Sequence, residues 1–185
     1  RIQIAAKIPA SLLPDNTSVS GDGMVTFAGV RADDLAREYG TPLFVYDEEH
    51  IRRRCREAVT AFPDGASYAT KAFLCKAMAR LAFEEGMGLD VATIGEAFTA
   101  IEAGVPAEKL VLHGNNKSIK ELEFAKSQGI GKVVIDSFDE IKKIEQVFTN
   151  GATPVKALIR ITPGVEAHTH EYVATGQEDS KFGFT

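Results

Sequence analysis

Cysteine is nearly missing from this chain of 185 residues: Cys55 and Cys75 are the only two. Two thiols make no disulfide framework and show no metal-ligand spacing, which excludes stapled scaffolds and cysteine zinc centres. Both fall in stretches with helical spacing and read as buried or half-buried free thiols. A reducing cytoplasm is therefore the expected compartment. A basic excess is missing as well. Lys and Arg total 21 against 26 Asp and Glu, a net charge of −5. Neither nucleic acid nor an anionic membrane is an expected partner of such a surface. No apolar run approaches the roughly 20 residues that cross a bilayer. The opening RIQIAAKIPASLLP is broken by Lys7, Pro9 and Pro14 and makes no signal-peptide core. GxGxxG is also absent. GDG (21–23), GMG (86–88) and GIG (129–131) do not continue into it, and the last two lie where a helix ends, so they read as turns.

What remains is the composition of an ordinary soluble globular protein, 44% hydrophobic and 25% charged, long enough for one good core. Residues 1–23 read as an irregular lead-in rich in Pro, Ser, Asn, Asp and Gly. GMVTFAGV (23–30) is a short strand, and RADDLAREYG a short helix closed by Gly40 and barred from continuing by Pro42. A repeat then sets in. LFVYD (43–47) has strand character and 48–62 has helical spacing. ASYATK, GLDVA, KLVLH, KVVID and VKALIRI are further short, β-branched-rich runs with amphipathic helices between them.

Helix starts and stops support this division. Thr93-x-x-Glu96, Ser118-x-x-Glu121 and Ser137-x-x-Glu140 have the form of capping boxes, in which hydroxyl and carboxylate satisfy unpaired first-turn N–H groups. Gly86, Gly104, Gly129 and Gly151 stand where left-handed C-caps are needed. Leu74, Met78, Leu81 and Ala82 share one helical face, as do Ile141, Ile144 and Phe148, and both faces read as core. Strand and helix alternating every 20–25 residues or so imply right-handed βαβ units and a parallel sheet. Spacing alone leaves a barrel and an open doubly wound sheet equally admissible. Five units are little more than half of an eight-stranded barrel and leave two open edges, so the chain is expected to be part of a longer polypeptide.

In parallel sheets reactive groups collect at the C-terminal ends of strands. Lys71, Asp90, His113, Asp136 and Arg160 fall there. From position alone Lys71 is either an exposed loop lysine or a perturbed amine able to form Schiff bases with carbonyl compounds, pyridoxal phosphate among them. HTHE (168–171) reads either as a polar loop over the site mouth or as partial zinc ligation, and no metal role is assigned to it. HGNNK (113–117) reads either as a plain Asn-rich turn or as part of a site. His50 reads as a surface residue of its helix.

Seven blocks in order, YGTPLFVYD, YATKAF, GLDVAT with a following GE, HGNNKS, VVIDS, RITPGVEAHTHEY and DSKFGF, resemble the diaminopimelate decarboxylase branch of the fold-type III, alanine-racemase-like pyridoxal-phosphate decarboxylases. The resemblance runs from about Val30 to Thr185. HGNNKS and GVEAHTHE carry the substrate assignment. The resemblance implies an α/β fold, a partial (β/α)8 TIM barrel. Residues 1–30 would be a lead-in and strand of a β domain, and 31–185 the first part of the barrel. The rest of the barrel and the C-terminal β domain would lie outside this sequence. It further implies Lys71 as the catalytic lysine that carries pyridoxal 5'-phosphate, with Asp90, His113 and Arg160 lining the cofactor pocket. The activity implied is decarboxylation of meso-2,6-diaminopimelate to L-lysine by a cytoplasmic homodimer. Thr93 and Glu96 match positions near the family's site, but their capping box already explains them. The family's ring-stacking histidine, Gly-rich phosphate loop, ring-nitrogen acid and proton-donor cysteine all follow KFGF, so residues 1–185 alone are expected to be inactive. A related decarboxylase or racemase, or a non-catalytic barrel piece, are the competing readings.

Overall fold

The computed structural model describes residues 9–149, 154–164 and 182–184, so Gly151 and the HTHE stretch lie outside the described residues. The chain divides into two compact units, Arg1–Ala61 and Phe62–Thr185.

In the first unit β1 (Thr17–Val19), β2 (Val25–Phe27) and β3 (Val30–Arg31) form an antiparallel meander in that order. The strand expected over 23–30 is thus two strands. Ala28 (φ 47°) and Gly29 (φ 82°) both adopt positive φ, the two-residue turn whose twist suits a hairpin, and Phe27 pairs with Val30 across it. β1 lies inside the stretch expected to be irregular. Thr-Ser-Val offers no apolar alternation, and only pairing with β2 makes it a strand. Helix α1 (Ala32–Tyr39) carries Asp33 and Asp34 in its first turn and Arg37 in its last, each at the end where the helix dipole favours it. Gly40 closes it at φ 79°. Residues 43–47 are not a strand. A strand needs the N–H and C=O groups of a neighbour, and this run has no ladder among the described residues. Its last member, Asp47, is buried and accepts the His50 N–H at 3.1 Å, starting helix α2 (Glu48–Ala61). His50 is half-buried, its Nδ1 accepting the Asp15 N–H at 3.1 Å.

The second unit contains a five-stranded parallel sheet: β4 (Ser67–Ala69), β5 (Gly88–Val91), β6 (Leu110–Leu112), β7 (Lys132–Ile135) and β8 (Ala157–Ile159). Helices α3 (Lys76–Glu84), α4 (Ile94–Glu102), α5 (Ile119–Gln128) and α6 (Phe138–Phe148) alternate with them. Spatial order is chain order, β4-β5-β6-β7-β8, every neighbour parallel. A doubly wound sheet reverses its strand order at a switch point, and this one does not. The winding is that of a partial (β/α)8 barrel.

Strand alternation builds the core. Leu89 and Val91, Leu110 and Leu112, and Val133 project to one side and pack with Ala97, Ala100, Leu122 and Ile144 of the helices. Burying one such leucine stabilises by about 1.5–3 kcal/mol. The boxes at Thr93 and Ser118 are complete, and Gly129 is a left-handed cap at φ 71°. At Gly131 a Cβ would lie 2.0 Å from the Glu108 carbonyl oxygen, so the backbone approach there admits only glycine. Cys55 is buried as expected, but Cys75 is exposed, its Sγ accepting the Met78 N–H at 3.5 Å as the cap of α3. Among the described residues no helix is long and apolar enough to cross a membrane.

Candidate active site

Parallel register brings the strand ends level. Ala69 pairs with Asp90, Asp90 with Val111, and Ile135 with Ile159. Residues just past these positions therefore gather along one edge of the sheet. β4 ends in a single 3-10 turn, Thr70–Ala72. Buried Thr70 fixes it by donating its hydroxyl to the Asp90 carbonyl at 2.9 Å, and the Tyr68 hydroxyl donates to Phe73 O at 2.6 Å. Lys71, at the centre of the turn, is exposed, and its amine makes no hydrogen bond or ion pair among the described residues.

Asp90 lies on the face of β5 opposite Leu89 and Val91. Its Oδ2 is 3.1 Å from His113 Nδ1, while its buried Oδ1 has no partner among the described residues. His113 extends the ladder by donating its N–H to Val91 O at 2.7 Å. Arg160 Nη1 approaches His113 Nε2 at 3.5 Å and donates to Asp136 Oδ2 at 3.0 Å. A guanidinium only donates, so this arrangement calls for the tautomer with hydrogen on Nδ1, directed at Asp90. Asp136 is buried, and its Oδ1 accepts the Gly183 N–H at 2.9 Å. Phe182 lies under the Arg160 guanidinium, 4.3 Å from its carbon to the ring centroid. Phe184 and Ile161 form a parallel bridge, with Phe184 N–H donating to Arg160 O at 2.9 Å. Gly183 has φ 75°, and a Cβ there would stand 2.8 Å from that same carbonyl oxygen. The FGF stretch thus requires its glycine.

Of the five strand-end residues, Asp90, His113, Asp136 and Arg160 form one polar chain. Lys71 stands beside it through Thr70, without a direct bond to it. Two buried residues beside this chain are not evident as such from the sequence. Lys117, in the HGNNK turn, is buried. Its Nζ donates to Gly114 O at 2.6 Å and pairs with Glu140 Oε1 at 2.9 Å. Glu140 completes no capping box. Ser137 Oγ accepts the Glu140 N–H, but the carboxylate turns to the Asp136 N–H at 2.9 Å. Burial pushes the Lys117 ammonium below the usual lysine range. The Glu140 hydrogen bond and charge, and the charges of Asp136 and Glu121, act against that. A lysine in a polar turn carries no sequence signal of burial. Glu140 falls four residues after Asp136 as Glu96 falls four after Ala92, whose N–H Glu96 accepts at 2.6 Å, so the spacing signals the backbone bond and not the burial.

Residues 48–185 match the family model described as pyridoxal-dependent decarboxylase, pyridoxal binding domain. The chain is 48% identical over 174 residues to a diaminopimelate decarboxylase of Mycobacterium tuberculosis, with 93% of this chain covered. It is 50% identical over 167 residues to one of Bacillus subtilis, with 88% covered. It spans only 39% and 38% of those relatives. The crystal structure of diaminopimelate decarboxylase from M. jannaschii in co-complex with L-lysine aligns with a TM-score of 0.77 at 31% identity, covering 92% of this chain and 41% of that one.

Proposed function

The chain belongs to the pyridoxal-dependent decarboxylase family through its pyridoxal-binding domain, and from that premise we propose that it contributes to decarboxylation of meso-2,6-diaminopimelate to L-lysine, with Lys71 carrying pyridoxal 5'-phosphate. The observation that supports this most is the exposed Lys71 amine, unpartnered among the described residues, beside a polar chain whose buried Asp90 Oδ1 is likewise unpaired among them. Buried carboxylate oxygens seldom stay unpaired, so that atom marks room for a donor from a ligand. A primary amine for the aldehyde, a free carboxylate oxygen, an imidazole and a guanidinium suit this cofactor.

Each side chain has a task in this reading. Lys71 supplies the amine that holds the aldehyde. Asp90 orients His113 by accepting its Nδ1–H, which keeps the imidazole in one tautomer and one plane. Asp136 pairs with Arg160 and Phe182 holds the guanidinium flat, so a guanidinium of fixed orientation lines the pocket beside His113. When bound, pyridoxal phosphate supplies a ring that accepts the electron pair left as CO2 departs. The substrate assignment draws on the names of the relatives at 48% and 50% identity. In the same reading residues 1–30, with their antiparallel meander, belong to a β domain and 31–185 to the barrel, and the protein is a cytoplasmic homodimer.

The test uses the full-length protein. It is mixed with pyridoxal phosphate and reduced with borohydride, and the adduct is located by peptide mass mapping. A modified Lys71 supports the cofactor assignment, and an unmodified Lys71 in folded protein ends it. Turnover of meso-diaminopimelate, and not of ornithine or alanine, supports the substrate. The reverse preference moves the protein to another branch of the family.

A further inference from the structure

Lysine is almost never fully buried without a partner, and a buried ion pair rarely improves stability over apolar residues of similar size. The Lys117–Glu140 pair, with side chains 1% and 3% exposed, therefore needs another explanation. Its contacts offer one. Lys117 Nζ holds Gly114 O, the carbonyl directly after His113. Glu140 Oε2 holds the N–H of Asp136. The pair thus ties together the two loops that follow β6 and β7, and those loops carry His113 and Asp136. In the Thr93 box Glu96 accepts from the N–H groups of both Ala92 and Thr93. Glu140 keeps the bond to Asp136 and gives its other oxygen to the lysine. Lys143 adds a weaker tie, donating to Lys117 O at 3.4 Å while pairing with Asp139.

We propose that Glu140, with Lys117 as its buried counter-ion, is a positioning residue that sets Asp136 and, through it, Arg160 and His113 at the mouth of the pocket. Neither touches a ligand. The proposal rests on the cofactor reading only for the first of its two readouts.

Two double variants of the full-length protein separate positioning from bulk stability. Lys117→Met/Glu140→Gln removes both charges but keeps an acceptor for the Asp136 N–H. Lys117→Met/Glu140→Leu removes the charges and the acceptor together. The readouts are the dissociation constant for pyridoxal phosphate, by absorbance titration, and the imidazole resonance of His113 in histidine-labelled protein, assigned with His113→Asn. The Gln double is expected to stay within about twofold of the parent in affinity with His113 unmoved. The Leu double is expected to bind about tenfold more weakly, with the His113 resonance displaced. Should the Leu double fail to fold, Lys117→Met/Glu140→Asn takes its place with the same expectation, since its amide stops one methylene short. Equal affinity and equal resonances in the two doubles overturn the proposal. A parent that binds no pyridoxal phosphate overturns the cofactor reading instead, and the His113 resonance then decides the pair by itself.

Discussion

In residues 1–61 the arginines meet their acids in the open. Arg52 pairs with Glu48, Arg54 with Glu57 and Arg37 with Asp34, and in each pair at least one side chain is more than half exposed. In residues 62–185 Lys117 meets Glu140 where water does not reach, and Arg160 meets a buried Asp136. The chemistry of the pairs is alike, but their leverage differs. An exposed pair exchanges one hydrated state for another and contributes about 0–1 kcal/mol. A buried pair has already lost its hydration, so removing one partner strands a charge, while removing both can cost little. The cited pairs of the first unit lie along exposed helix surfaces, and in the second Lys117–Glu140 and Arg160–Asp136 hold strand ends together.

Breaking the buried pair on one side gives the largest expected effect. Lys117→Met alone leaves the Glu140 carboxylate buried without its cation and should destabilise by roughly 3–5 kcal/mol in urea denaturation. A loss below about 1 kcal/mol would place this pair with the surface ones. Next comes a cap inside the same unit. Ser118→Ala removes the hydroxyl that accepts the Glu121 N–H at 3.2 Å and should cost about 1 kcal/mol, read as a lower denaturation midpoint at unchanged slope. Arg54→Ala in α2 should stay within about 0.5 kcal/mol of the parent, and a larger loss would contradict the contrast from the other side.

The smallest effects are those of pH, and they share a sign in two separate windows, stability rising with pH in each. Folded Lys117 binds its proton less tightly than an unfolded lysine of ordinary value 10.5, because burial disfavours the ammonium. The unfolded chain therefore holds more protons between the folded value and 10.5, and this group's contribution to stability rises with pH through that window. The Lys117→Met/Glu140→Gln double should lack that rise in melts taken across it. Asp33 has the same slope at the acid end, from pairing where Lys117's comes from burial. The Arg31 hydrogen bond holds its carboxyl below the ordinary 3.8, so its contribution is present above that value and lost as pH falls through the folded one. Asp33→Asn should remove only that acid-side loss, and a flat acid limb in the parent would remove the contrast.

Elements whose cause is local are legible in the residues themselves. The five β-branched runs of the second unit are each a strand, because an apolar run bounded by a helix stop and a turn has few other ways to bury itself. The Thr93 and Ser118 boxes lie within four residues and form as their spacing predicts. Asp90, His113 and Arg160 can be named because strand ends in parallel sheets share one edge. The run at 43–47 misleads because strand character is a property of a residue, whereas a strand is a property of a pair. Lys117 stays hidden for the related reason that burial of a charge depends on a partner arriving from another helix.

By itself, then, the order of residues determined the alternation of strands and helices, the helix caps and the set of groups at the strand ends, since each follows from period, short-range hydrogen bonding or chain direction. Only tertiary structure decided the sequential winding of the sheet, the seating of Phe182, Gly183 and Phe184 beside Arg160, and the second bond of Glu140. Those three depend on which distant group arrives to fill a donor, an acceptor or a ring face. Asp136 meets Gly183 across 47 positions of chain, a separation that no local rule spans.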